Sequence, residues 1–188
     1  MFQKYKNHFI KIYKKSKVRY RTFPQHVDIV VKWTEKLCKL NPGVDKEVAI
    51  IGAWFHDLGH FIGKEKDHAV SSEKEALKFL RREKFNEEKI KRILHVVRSH
   101  RNRDVKPKTI EAKIVCCADS ASHFTSDAYL IILLDNIDSR DYILGKIDRD
   151  YRDISVFPKI KKELTPLYKS WKKLIESFPN DFIKHISK

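Results

Sequence analysis

The interpretation of the chain starts from Ala53-Trp54-Phe55-His56-Asp57-Leu58-Gly59-His60. This stretch places an imidazole and a carboxylate at the end of the longest apolar run, residues 48–55. Burial of such groups is costly unless they are paired with each other or bound to a cation. A capping aspartate beside a hydrogen-bonded histidine would satisfy the same residues. The pair alone therefore indicates either a helix end or one part of a metal site.

The composition around this stretch predicts an all-α fold. Only five glycines and six prolines interrupt 188 residues, and no segment alternates between apolar and polar residues as a strand would. We expect a single domain over residues 1–188. Its helical bundle core covers about residues 20–127, and a C-terminal helical extension covers about residues 128–188.

Local signals predict where several helices begin and end. Thr22 and Pro24 indicate the start of a helix that runs to about Leu40, and another helix is expected from His68 to Lys84. Further caps are expected at Asp45, Asn86 and Thr109, an inward row at Ile90, Ile93, Leu94 and Val97, and breaks near Pro158, Pro166 and Pro179.

The first residues, from Phe2 to Tyr13, have apolar side chains at helical spacing with lysines between them. Such an amphipathic helix either packs on the core or lies on a membrane surface. Core packing is the favoured interpretation.

Charge and cysteine content limit the ligands and the cellular compartment that the chain fits. The chain has 40 Lys and Arg against 25 Asp and Glu, which gives a net charge of +15. Such a charge either attracts phosphates, nucleic acid or anionic surfaces, or reflects solvated lysine-rich helices. Three cysteines, two of them adjacent, make no disulfide framework, and no apolar run approaches the ~20 residues of a membrane span. We expect a cytoplasmic protein with no secretion signal and no membrane partner.

Two further residues extend the His56-Asp57 pair into a ligand set. His26 is expected in the first turn of the preceding helix, and Asp119 interrupts the otherwise apolar run of residues 112–121. An acid in so apolar a segment needs a compensating partner. His26, His56, Asp57 and Asp119 would bind Mn²⁺, Fe²⁺, Co²⁺, Ni²⁺ or Zn²⁺ in preference to Ca²⁺.

The order His26 … His56-Asp57 … Asp119 resembles that of the HD-domain superfamily of metal-dependent phosphohydrolases. The resemblance runs from about Pro24 to Phe124. It includes the start of a helix at Asp67-His68-Ala69, the helix that His100 closes, and the segment from Glu111 to Asp119. It implies an all-α bundle with a metal at its centre and hydrolysis of a phosphoester or phosphoanhydride.

Departures from several subgroups narrow the resemblance. The chain has no Gly-Tyr-Pro signature and no Glu-Asp pair shortly after His56-Asp57, which disfavours cyclic-di-GMP phosphodiesterases and alarmone hydrolases. Residues 61–68 replace the Pro-Phe-Gly-His of the dNTP triphosphohydrolases. The chain is most similar to the small single-domain group, some of whose members resemble nucleotide pyrophosphohydrolases.

Catalysis by a metal-activated water needs a proton acceptor and a proton donor. Asp57 and His68 are the candidate catalytic residues, because Asp57 can orient the water and His68 begins the next helix. His100 should point inward, and His60 is expected at the periphery. One metal is favoured, although His68 and His100 could bind a second, as histidines of the same helices do in two-metal relatives.

A phosphorylated substrate also needs cations. Lys64, Arg98 and Lys113 are the candidate substrate-binding residues, together with His100. The favoured substrate is a nucleotide or another small phosphorylated molecule.

Alternatives remain open at this stage. The charge also fits an HD-type nuclease or phosphodiesterase acting on single-stranded nucleic acid or a cyclic nucleotide. A zincin-like site at His56 to His60 would leave Asp119 unexplained, and a non-catalytic nucleotide regulator would not need a complete ligand set.

Overall fold

The computed structural model describes residues 2–18, 23–62, 66–135 and 140–178. Within these ranges the chain is helical and contains no β-strand, which confirms the all-α prediction. The helices in chain order are α1 (Gln3–Lys15), α2 (Phe23–Leu40), α3 (Lys46–Phe55), α4 (Gly59–Ile62), α5 (His68–Arg82), α6 (Glu87–Ser99), α7 (Ile110–Phe124), α8 (Ala128–Asp135), α9 (Arg140–Ile154) and α10 (Pro158–Ser177).

The chain clusters into two compact units, residues 1–118 and residues 119–188, and the boundary falls inside α7. The single-domain organisation with a core at about residues 20–127 stays a prediction. Among the described residues, none of the helices combines the length and the apolar character that crossing a membrane requires.

Helix α3 lies at the centre of the first unit. Every residue from Val48 to Phe55 is buried, and α3 packs against α1, α2, α5 and α6. Gly52 allows the closest of these approaches, because a Cβ atom at this position would lie only 2.2 Å from Val96 Cγ1 of α6. A helix that is apolar all round can be stabilised only in such a central position.

The predicted caps are present in the structure. The Asp45 side chain accepts a hydrogen bond from the Val48 N–H at 3.2 Å, and Asn86 accepts one from the Lys89 N–H at 2.8 Å. The Thr109 hydroxyl accepts a hydrogen bond from the Ala112 N–H at 3.2 Å. Each cap satisfies an N–H that the first turn of a helix leaves without an intrahelical partner. Helix α2 covers its predicted range, whereas Thr22 lies outside the described residues.

Tertiary packing alters three local expectations. Val96 is fully buried and Leu94 only partly, because the side chain of Val96 enters the space that Gly52 leaves. Helix α5 ends at Arg82, and Lys84 adopts a positive φ of 57°. Pro166 does not break α10, which packs along α9 with buried residues on both sides of the proline. The predicted break near Pro158 is present, because α9 ends at Ile154 and α10 begins at Pro158, and Pro179 lies outside the described residues.

Helix α1 packs on the protein core, as favoured above. Tyr5 and Phe9 are buried, and α1 contacts α3 and α4. The Phe9 ring lies 6.0 Å from both the Trp54 and the Phe61 ring centroids. The apolar face of this helix therefore stabilises the first unit.

The second unit contains a buried polar cluster. Asp150 is 5% exposed, accepts a hydrogen bond from the Tyr129 hydroxyl at 2.9 Å, and lies 3.1 Å from both Lys146 Nζ and His123 Nδ1. Burial raises the pKa of the Asp150 carboxyl, but the charge of Lys146 and the contact with His123 outweigh burial and hold the pKa below its usual value. Asp150 is therefore a carboxylate whose charge is compensated inside the fold.

We expect Gly52→Ala to destabilise the protein by about 1–3 kcal/mol, because the added methyl group overlaps Val96. Gly145→Ala is the matched control. Its methyl group would meet only the flexible end of Arg149 at 3.4 Å, and alanine favours a helix by up to about 1 kcal/mol. Urea denaturation followed by circular dichroism should show opposite signs for the two variants. Equal effects would contradict the close approach of α3 and α6.

Asp150→Asn should lower the free energy of unfolding, measured by urea denaturation, by on the order of 3 kcal/mol at neutral pH. The reason is that the substitution leaves Lys146 and His123 without their carboxylate. The folded-state pKa of Asp150 is lowered, so its stabilisation is complete above about pH 4 and is lost as pH falls through the folded value. The difference in free energy of unfolding between the wild type and Asp150→Asn should therefore become smaller in acid. The control is Asp148→Asn, whose side chain is 41% exposed and which should cost less than about 1 kcal/mol.

Candidate metal centre

The first unit surrounds one carboxylate, that of Asp57, with imidazoles. Helix α3 ends at Phe55, and residues 56–58 form the turn that leads into α4. Asp57 is 8% exposed and His56 is fully buried. The two residues therefore lie at the inner end of the most buried helix.

Gly59 brings α5 against this turn. A Cβ atom at Gly59 would lie 1.9 Å from the backbone oxygen of His68, so any side chain at this position would separate the two segments. The Gly59 N–H also donates to the Ser72 hydroxyl at 2.8 Å. The close approach places His68, the first residue of α5, next to Asp57.

Two histidines face one oxygen of the Asp57 carboxylate. His56 Nε2 lies 3.2 Å and His26 Nε2 lies 3.5 Å from Asp57 Oδ2. The ligand atoms of these three residues lie within 4.8 Å of one another. They form one candidate metal-binding group, built from the start of α2 and the end of α3.

Three more histidines face the other oxygen. His68 Nε2 lies 3.1 Å, His100 Nε2 3.3 Å and His60 Nε2 3.8 Å from Asp57 Oδ1. The His60 and His68 rings stack with centroids 3.9 Å apart. Asp57, His60 and His68 form a second group of ligand atoms within 4.8 Å of one another.

Backbone contacts determine which ring nitrogens face the carboxylate. His56 Nδ1 lies 2.7 Å from the Ala53 carbonyl, and His100 Nδ1 lies 2.7 Å from the Val97 carbonyl. A carbonyl oxygen can only accept, so each Nδ1 carries a proton and each Nε2 points at Asp57. This arrangement is typical of metal-binding histidines, whose second nitrogen is held by a backbone carbonyl or a carboxylate.

An Nε2 lone pair opposite a carboxylate oxygen requires a proton or a cation between them. Protonating several of these rings would place like charges side by side in a buried site, which is unfavourable. One divalent cation satisfies the nitrogens and the carboxylate together. The residues present therefore fit a transition metal, for which imidazole and carboxylate are suitable ligands.

The electrostatics of the centre keep Asp57 ionised. Burial raises the pKa of the Asp57 carboxyl, but the interactions with His56, His100 and His26 outweigh burial and hold the pKa well below its usual range. Burial lowers the pKa of His60 to about 4, with Asp57 opposing this shift. A carboxylate and a neutral imidazole are the forms that bind metals.

His60 was expected at the periphery, whereas in the structure its ring faces Asp57. After the turn at residues 56–58, α4 begins at Gly59 and places His60 Nε2 3.8 Å from Asp57 Oδ1. The signal was present in the sequence as a histidine four residues after His56. His100 does point inward, as predicted, and is 2% exposed.

Asp119 lies in the second unit, where its Oδ1 is 3.8 Å from His123 Nε2. The contact of His123 with Asp150 depends on the packing of α9, which no local pattern around His123 indicates. The assignment of Asp119 as a metal ligand stays a prediction.

The predicted substrate-binding residues have different surroundings. Arg98 is paired with Asp67 at 3.4 Å, with Glu73 at 3.7 Å and with Asp104. Lys113 is half-buried in α7, and Lys64 lies outside the described residues. The role of each in substrate binding stays a prediction.

Comparisons with known proteins agree with this arrangement. The family model of the HD domain matches residues 23–122, more than half of the chain. The fold is similar to the 1.45 Å crystal structure of a predicted HD superfamily hydrolase from an uncultured Thermotogales bacterium, with a TM-score of 0.57 and 20% sequence identity. That match covers 84% of this chain and 88% of the other. No curated protein matches the chain.

Adding Mn²⁺ or Co²⁺ to the metal-depleted protein should raise its melting temperature, because a ligand that binds only the folded state stabilises it. The gain is about 2.7 kcal/mol when free metal is 100 times Kd. Asp57→Asn should abolish the shift, whereas the control Asp28→Asn, which pairs with Lys6 in the same unit, should keep it. Equal shifts in both variants would contradict a metal centre at Asp57.

Proposed function

The chain belongs to the HD-domain family, and on this basis we propose that it is a metal-dependent phosphohydrolase acting on a nucleotide or another small phosphorylated substrate. One observation carries the proposal. Among the described residues, five histidine Nε2 atoms lie 3.1 to 3.8 Å from the oxygens of one buried carboxylate. A structural ion pair needs one such partner, whereas a hydrolytic centre uses several.

The proposed ligands of one divalent transition metal, Mn²⁺, Fe²⁺, Co²⁺, Ni²⁺ or Zn²⁺, are His26, His56, Asp57 and Asp119. The first three are supported by their mutual distances, and Asp119 by the sequence pattern. One ion is the favoured number, and a second ion would have to bind at the close grouping of Asp57, His60 and His68. A metal bound here supplies an activated water and neutralises phosphate charge.

Asp57 and His68 are the proposed catalytic residues. Asp57 is held as a carboxylate, so it can orient the attacking water through a hydrogen bond. His68 is about one-fifth exposed and lies 3.1 Å from Asp57 Oδ1. In this role its ring holds a proton at Nε2, and it gives that proton to the leaving oxygen.

We propose that Lys64, Arg98, His100 and Lys113 contact the substrate. The net charge of +15 supports a substrate with negative charge. His100 has the strongest support of the four, because it lies against Asp57. Arg98 has the weakest, because three carboxylates already compensate its charge.

The same charge favours a second candidate function, a nuclease or phosphodiesterase acting on single-stranded nucleic acid or a cyclic nucleotide. An enzyme that acts on single-stranded nucleic acid would bind a generic 30-mer at physiological salt, whereas attraction to scattered lysines falls steeply with salt. Binding of the oligonucleotide at two salt concentrations separates the two functions.

A hydrolysis screen tests the proposal. The full chain, loaded with each metal in turn, is assayed on nucleotides, sugar phosphates, simple diesters and short single strands. We expect hydrolysis of a small phosphate, and His68→Ala should lower turnover by about 10²–10⁴-fold with metal content unchanged.

The variant also reports on the second ion. If His68 binds a metal, the stoichiometry falls from two to one together with turnover. The control His95→Ala changes a histidine that instead accepts a hydrogen bond from the Lys108 N–H, and it should retain both quantities. Full turnover in His68→Ala would remove His68 from the catalytic assignment.

A further inference from the structure

The carboxylate of Asp67 joins two helices next to the metal centre. Its Oδ1 accepts a hydrogen bond from the Ala69 N–H at 2.8 Å and so caps α5. Its Oδ2 accepts from Arg101 Nη2 at 2.7 Å and from Arg98 Nη1 at 3.4 Å. The Asp67 side chain therefore caps the start of α5 and also binds the two arginines at the end of α6.

The two arginines flank His100. Arg98 lies in the last turn of α6, and Arg101 follows His100 directly. Both also contact Asp104, Arg101 at 3.4 Å. We call Asp67, Arg98, Arg101 and Asp104 the arginine clamp.

The residues of the arginine clamp are next to His68 and His100 in the sequence, and these two histidines contact each other. Asp67 immediately precedes His68, and the Nε2 atoms of His68 and His100 lie 3.3 Å apart. Both atoms face Asp57 Oδ1, at 3.1 and 3.3 Å. A change in the spacing between the start of α5 and the end of α6 would therefore move His68 relative to Asp57.

We propose that Asp67 and Arg101 are positioning residues that hold His68 in place against Asp57 and His100. The catalytic consequence rests on the proposed function, in which His68 transfers a proton. Partly exposed ion pairs contribute little to stability, and the side chains of Asp67 and Arg101 are 30% and 19% exposed. Asp67 and Arg101 instead contribute by keeping the His68 ring in position, because a misplacement of a catalytic group by about 1 Å can lower the rate 10²-fold.

The chain contains a matched control in Asp45. This aspartate also caps a helix, α3, and its other oxygen receives Arg92 Nη1 of α6 at 3.1 Å. Arg92 lies in the middle of α6, eight residues before His100. Asparagine caps helices about as well as aspartate, so Asp67→Asn and Asp45→Asn each keep the cap and weaken the arginine contact.

The test records the imidazole ¹H–¹⁵N spectra of the full chain labelled at histidine, without metal. The chain has nine histidines, and His68→Gln and His100→Gln assign the two signals of interest. We expect Asp67→Asn to shift the ring signals of His68, while Asp45→Asn leaves them in place at a similar melting temperature. With metal and the substrate from the screen, Asp67→Asn should lower kcat about 10-fold or more with little change in KM.

Two outcomes would overturn the proposal: unchanged His68 signals in Asp67→Asn, or equal shifts in both variants, which would indicate general loosening. If the first outcome is accompanied by tighter binding of inorganic phosphate by Asp67→Asn, the arginines are anion-binding residues instead. The spectra decide the positioning role even if His68→Ala retains full turnover. That last result would overturn only the proposed catalytic role of His68.

Discussion

The first unit depends on the contact between one ionised carboxylate and the ring of imidazoles around it. Asp57 lies at the end of a fully buried helix, where an isolated charge would be strongly destabilising. Histidines from the start of α2, the end of α3, α4, the start of α5 and the end of α6 compensate it. The same contact that permits burial of the charge brings five helix ends to one point.

Two glycines make this convergence sterically possible. Gly52 allows α6 to approach α3, and Gly59 allows the first residue of α5 to contact the turn after α3. Side chains at either position would separate the helices that carry His100 and His68 from the helix that leads to Asp57. The geometry of the candidate metal centre is therefore a consequence of close backbone packing as well as of the histidine and aspartate side chains themselves.

Charge compensation at the site extends beyond the histidines. Arg98 and Arg101, which flank His100, are paired with Asp67 and Asp104, so part of the positive charge near His100 is balanced within the protein. The net charge of +15 favours an anionic substrate but does not by itself place a cation at the site. Local pairing decides which cations are available to a ligand.

The all-α fold, the caps at Asp45, Asn86 and Thr109, and the candidate ligand group of His26, His56 and Asp57 could be predicted from the sequence, because these features follow from local hydrogen bonding, helical periodicity and motif order. Tertiary structure alone decided that Pro166 stays inside a helix and that Val96 packs where Leu94 was expected. It also decided that His60 faces Asp57 and that Arg98 pairs with Asp67. These outcomes depend on how closely two distant segments approach, and that distance is determined by the packing of side chains far apart in the sequence.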